Sequence, residues 1–80
     1  MKIQQAVSSR LIELCKERDI TVNALSRLSA VPPSTLKNII YGVSQNPGVV
    51  TIKMLCDGLD ISIEEFFSDD IFRGLDQEIE

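Results

Sequence analysis

The stretch from Thr21 to Gly42, TVNALSRLSAVPPSTLKNIIYG, constrains this chain more than any other. It reads as two short helices joined by a tight corner. Val22, Leu25 and Leu28 recur at i, i+3 and i+6, a helical stripe that predicts a core-facing side for the first of them. Thr21 stands just ahead of the stripe, where its hydroxyl can accept from an orphan amide of the first turn. The corner is Ser29-Ala30-Val31, a small residue followed by an apolar one that points inward. Pro32-Pro33 then opens the next helix, because proline lacks only an amide that a first turn leaves unpaired in any case. Leu36, Ile39 and Ile40 turn inward from that helix at i, i+3 and i+4. Ser34, Thr35, Lys37, Asn38 and Tyr41 turn outward. Gly42 closes it, at a position where a left-handed residue is usual. The arrangement is a helix-turn-helix.

The rest of the chain also reads as helical. Ile3, Val7, Leu11, Leu14 and Arg18 step by three and four, so a helix is expected over about residues 4–18, with Ile20 tucked in behind it. Val43 to Gly48 contains asparagine, proline and glycine without periodicity and predicts a loop. A helix follows from about Val50 to Leu59, burying Ile52, Leu55, Cys56 and Leu59, with Gly58 near its end. Ser62-Ile63-Glu64-Glu65 has the form of a capping box and starts a short helix with Ile63, Phe66 and Phe67 as core plugs. Beyond it, Ile71, Phe72 and Leu75 lie among acidic residues and predict one more amphipathic turn or two.

Eighty residues make one domain, or one domain with a tail. Residues 1–68 form the expected domain, and residues 69–80 an acidic, partly helical tail. A chain this short buries only about 60% of its unfolded surface. No apolar run reaches the ~18 residues a membrane span requires, and no signal-peptide pattern is present, so the cytoplasm is the expected location. Cys15 and Cys56 each fall within an apolar helical stripe; a disulfide is arithmetically open, but two reduced core thiols are expected. Histidine is absent, which removes Ser-His and Cys-His catalytic pairs and makes a metal site unexpected. No glycine-rich phosphate loop or cofactor motif occurs, and no small-molecule ligand is evident. A non-enzyme is expected.

The net charge of −4 looks wrong for a nucleic-acid binder until it is divided. Residues 1–56 hold seven basic and three acidic residues, net +4, whereas residues 57–80 hold one basic and nine acidic, net −8. A basic body with an acidic appendage fits this division better than a uniformly acidic globule.

From about Arg10 to Phe67 the sequence resembles the small DNA-binding domain of the Cro/phage-repressor (XRE-type) regulators. RLIELCKERDIT is similar to the family's first helix and the turn into its second, LSRLSAVPPSTLKNIIYG to the recognition motif, NPGVVTIKMLCDGLDIS to the fourth helix and its exit, and SIEEFF to the fifth. Ala30 stands where the family usually has a corner glycine, and Ser26 where it has a small residue beneath the second helix. The resemblance implies an all-α, five-helix, lambda-repressor-like domain that binds double-stranded DNA as a homodimer.

It also implies the site. Base-reading positions map to Pro33, Ser34 and Asn38, with Lys37 beside them, and Thr35 and Tyr41 on the same outward face. Asn38 is the best specific reader, since an amide pairs bidentately with adenine. The phosphate grip falls to Arg27, Lys37, Lys53 and Arg10, with amides at the starts of the second and fourth helices. Val22 stands where the family often has a phosphate-holding glutamine, and Val43, Ser44 and Gln45 occupy a loop that is commonly basic. Cys15 and Ile40 stand where some members pair an arginine with a glutamate; the joint loss of both charges predicts an apolar contact between two buried residues. Phe66, Phe67, Ile71, Phe72 and Leu75 exceed what one short terminal helix readily buries, so some of them, with neighbours near Val43 and Val49, are expected in a two-fold interface. The reading is a sequence-specific DNA-binding transcriptional regulator, expected to be a repressor. The alternative is a protein-interaction module on the same fold, antitoxin-like or an anti-repressor partner.

Overall fold

A computed structural model describes all residues from Met1 to Glu80. Five helices follow one another: α1 (Ile3–Glu17), α2 (Val22–Ser29), α3 (Pro33–Ile40), α4 (Val49–Leu59) and α5 (Ile63–Phe67). A single 3-10 turn, Asp70–Phe72, succeeds them. There is no strand, and no helix is long and apolar enough to cross a membrane.

Local chemistry starts and stops these helices as the residues suggest. Thr21 caps α2, its Oγ1 accepting from the Ala24 amide at 3.0 Å. Pro33 is the first residue of α3, with Pro32 extended before it, and Gly42 follows the helix at φ +78°. At α5 only the forward half of the capping box forms: Ser62 Oγ accepts from the Glu65 amide at 3.0 Å, and the Glu65 side chain does not return the bond. Asp19 and Asp60 take left-handed conformations at the exits of α1 and α4, a role aspartate fills better than most residues without glycine's freedom.

The core is one cluster of fourteen buried side chains drawn from all five helices and from Val31 in the corner between α2 and α3, centred on Leu11, Leu25, Leu36, Ile39, Leu55, Cys56 and Phe66. Cys15 and Ile40 are both buried in it, as expected for two apolar residues in place of an ion pair. Both cysteines are free thiols. Burial pushes each thiol's pKa up, with Arg18 opposing the shift at Cys15 and Lys53 at Cys56.

Three residues expected inside are not. Leu28 is 60% exposed, because a step of three residues loses about 60° of rotation each time and carries the third member of the stripe off the buried face. The face that α2 buries is Leu25, Ser26 and Ser29, with Val22 half-buried. Ile3, in the first turn of α1, is 42% exposed, and Phe67 lies at the edge of the core at 36%. The three phenylalanines nevertheless close on one another, with ring centroids 4.8–5.9 Å apart, and Ile71, Phe72 and Leu75 are half-buried.

The serines on α2 have a packing reason. A Cβ placed on Gly58 of α4 would lie 2.9 Å from the Ser29 backbone nitrogen and Cα, so α2 and α4 meet nearly backbone to backbone there. Gly58, near the end of α4, is thus a helix-crossing residue. Gly58→Ala is expected to destabilise the fold by about 1–3 kcal/mol through overpacking. The fall in Tm, several degrees at about 4–8 °C per kcal/mol for a domain of this size, is read by thermal denaturation followed by circular dichroism.

Candidate nucleic-acid interface

The helix-turn-helix corner is held by serine hydroxyls. Ser26 Oγ donates to the Val31 carbonyl at 2.5 Å, and Ser29 Oγ donates to the Leu25 carbonyl at 2.7 Å while accepting from the Val31 amide at 3.3 Å. Ala30 sits between them at φ +59°, the left-handed region in which a Cβ costs energy, which explains why glycine suits this position. Val31 is driven inward to 2% exposure, and the turn thereby sets the direction in which α3 leaves.

The far end of α3 is anchored by α1. A helix ends with four carbonyls that lack intrahelical partners. Here all four are satisfied: Lys37 by the Tyr41 amide, Asn38 by the Ser44 amide, Ile39 by the Gly42 amide and Gln4 Nε2, and Ile40 by Ser8 Oγ. Gln4 and Ser8 are both buried, and the Gln4 bond measures 2.8 Å. Neither residue stood out in the sequence. Their i, i+4 spacing on the α1 face next to Val7 and Leu11 is the signal that could have marked them.

With both ends fixed, α3 presents a free outer face. Pro33, Ser34, Thr35, Lys37 and Asn38 are all exposed on it, while Leu36, Ile39 and Ile40 are buried beneath. Tyr41, expected inside the helix, is instead its C-terminal cap residue, and it is 75% exposed. Arg27 is exposed on the last turn of α2. Neither Arg27 nor Lys37 takes part in an ion pair. Lys53 is exposed on α4 and pairs with Asp57 one turn along.

Arg10 does not join this group. It lies two residues, about 200°, around α1 from Ser8 and so faces the opposite way. Its side chain is only 11% exposed. Nε donates to the Phe66 carbonyl and Nη2 to the Glu65 carbonyl, each at 2.9 Å, and Nη1 pairs with Glu13 and Asp69. The guanidinium is a C-terminal cap for α5, committed to the fold and not available to a phosphate.

Residues 10–70 match the model of the Cro/C1-type helix-turn-helix DNA-binding domain. The chain belongs to this family. The matched segment contains the whole of α2 to α5, and with it the corner, the anchored α3 and the Arg10 clasp. The chain is 29% identical over 55 residues to a protein of Bacillus subtilis (strain 168) described as an SPbeta prophage-derived uncharacterized HTH-type transcriptional regulator, YopS. The alignment covers 69% of this chain and 74% of that protein. No solved structure gives a significant match. The Cro/C1-type assignment agrees with the five-helix architecture and with the corner geometry at Ala30.

The assignment of Arg10 to the fold has a measurable consequence. Arg10→Ala removes charge-assisted bonds from two α5 carbonyls and is expected to cost about 2–3 kcal/mol of unfolding free energy in urea titrations. An unchanged urea midpoint would count against the clasp.

Proposed function

We propose that this chain is a sequence-specific DNA-binding transcriptional regulator, acting as a repressor, that reads the major groove with the outer face of α3. The observation that carries the reading is the contrast along this helix: an unencumbered polar face over a rigidly seated apolar one. An α-helix with its side chains is about 10–12 Å across and fits a major groove about 12 Å wide. Asn38 reads a base edge, Ser34 and Thr35 serve bases or phosphates, and Pro33 offers an apolar surface suited to a thymine methyl. Tyr41 flanks the same face.

Arg27 and Lys37, as free cations, hold phosphates together with the first-turn amides of α2 and α4. Lys53 joins them by exchanging Asp57 for a phosphate, at little cost because an exposed ion pair is worth about 0–1 kcal/mol. The protein acts as a homodimer on two half-sites about one helical turn apart. The prophage-derived relative's description as a transcriptional regulator supports the regulatory role, and repression requires only that the bound site exclude another protein.

Two variants separate base reading from phosphate holding. On a duplex selected from random sequence, Asn38→Ala is expected to cost about 1–3 kcal/mol, with little change on unselected DNA. Lys37→Ala is expected to weaken both duplexes similarly and to reduce the slope of log K against log salt by roughly one per subunit. Fluorescence anisotropy at two salt concentrations reads both quantities. Equal and small effects from the two variants would mean that α3 does not enter the groove.

A further inference from the structure

Two side-chain hydrogen bonds reach α3 from other helices, and both come from α1: Gln4 Nε2 donates to the Ile39 carbonyl and Ser8 Oγ to the Ile40 carbonyl. Both donors are buried. The Gln4 bond does not rescue an orphan group. The Ile39 carbonyl already accepts from the Gly42 amide at 3.3 Å, yet Gln4 approaches it more closely, at 2.8 Å. A second bond to a carbonyl that has a partner adds direction more than polar satisfaction. Gln4 and Ser8 also precede the segment matched to the Cro/C1-type family, which begins at residue 10.

We propose that Gln4, assisted by Ser8, is a positioning residue for DNA reading: without touching DNA, it sets the rotation and depth at which α3 offers Asn38 to a base. The inference rests on the DNA-reading function proposed above and assigns part of its specificity to α1.

Two kinds of force hold α3. Leu36, Ile39 and Ile40 seat it on the core, but apolar attraction is non-directional and fixes the rotation of a short helix less sharply than a hydrogen bond does. Bidentate pairing of an amide with adenine needs two well-aligned bonds at once. Such a reader must be held to within about 0.5 Å and 10–20°.

The ends of α3 are held by different devices. Ser34 lies at the end fixed by the helix-turn-helix corner, where Ser26 binds the Val31 carbonyl. Asn38 lies four residues, about 6 Å, further along the axis and directly precedes the residue whose carbonyl Gln4 holds. Loss of the Gln4 bond therefore loosens the Asn38 end and leaves the Ser34 end in place. A defect confined to one end of the reading face separates a positioning residue from one that only stabilises the fold.

The test measures preference at every position of the selected duplex by competition with its single-base-pair variants. Asn38→Ala marks the base pair that the far end of α3 reads. Gln4→Met keeps the length of the side chain and removes its donor. It is expected to lower preference about three- to tenfold at the marked pair, with the remaining pairs and affinity for unselected DNA unchanged. Ser8→Ala, which introduces a residue that helices favour, is expected to act in the same direction. It carries the test alone if thermal melting followed by circular dichroism shows that Gln4→Met does not fold. Arg10→Ala loses its bonds to α5, on the opposite side of α1, and is expected to keep the wild-type profile as the control for lost stability. A wild-type profile in both Gln4→Met and Ser8→Ala, a uniform loss across the site, or the same relaxation in Arg10→Ala overturns the proposal. If Asn38→Ala relaxes preference and the Gln4 and Ser8 variants do not, the positioning role alone falls. If Asn38→Ala relaxes it nowhere, the DNA reading falls and the positioning role with it.

Discussion

The helix α3 depends on how its last carbonyls are satisfied. An eight-residue helix is too short to be stable by itself, so α3 holds its shape only through its neighbours. Its apolar face rests on the core, and its orphan carbonyls are taken up partly by the following turn and partly by Gln4 and Ser8 of α1. Two uncharged side chains achieve this without a buried ion. Cys15 and Ile40, buried in the same core, add apolar contact in place of charge, which avoids the desolvation that a buried arginine–glutamate pair incurs. The helix is fixed along its length by packing and at its end by directional bonds, and its outer face can stay polar.

The same economy of charge shapes the crossing of α2 and α4. Ser29 is small enough to let the helices approach, and both Ser26 and Ser29 turn their hydroxyls onto nearby carbonyls, so no buried polar side-chain atom is left without a partner. Gly58 completes the contact from the α4 side. Close approach draws α2 down onto the core, and the corner at Ala30 then swings α3 outward. The left-handed residue is tolerated here because Val31 on one side and Ser29 on the other fix the chain so firmly that the local strain has nowhere to relax.

Much of this architecture was legible in the residues, and the parts that were not have physical reasons. Helix positions followed from apolar spacing, and α1 and α4 begin within one residue of the positions the spacing implies. The outward face of α3 followed from Leu36, Ile39 and Ile40 alone. Leu28 misled because a three-residue step resembles a stripe over two turns but drifts around the helix by the third. Gln4, Ser8 and Gly58 were hidden because buried polar and missing side chains are defined by their partners across the fold, and a sequence lists no partners. Arg10 shows the same limit from the other side: in one dimension a cation near a DNA-binding motif is indistinguishable from a cation that caps a distant helix.

The charge distribution is resolved by the same distinction. Of the seven basic residues before position 57, Arg10 is enclosed by carbonyls and carboxylates, and Lys53 is matched by Asp57. Lys16, Arg18, Arg27 and Lys37 remain exposed and form no ion pairs. The acidic segment is not loose counter-charge either. Asp69 caps the 3-10 turn and pairs with Arg10, and Glu78 accepts from the Ile3 amide at the start of α1, where the helix dipole favours an anion. Lys2 donates to the Gln77 carbonyl, and the Asp76 amide to the Met1 carbonyl at 3.0 Å, so the acidic stretch is tied to the first turn of α1. That turn also carries Gln4. Glu78, Asp76 and the backbone around Gln77 thus tie the acidic segment to the turn of α1 that carries Gln4 and so to the end of α3, and a net charge of −4 does not describe the face that α3 presents.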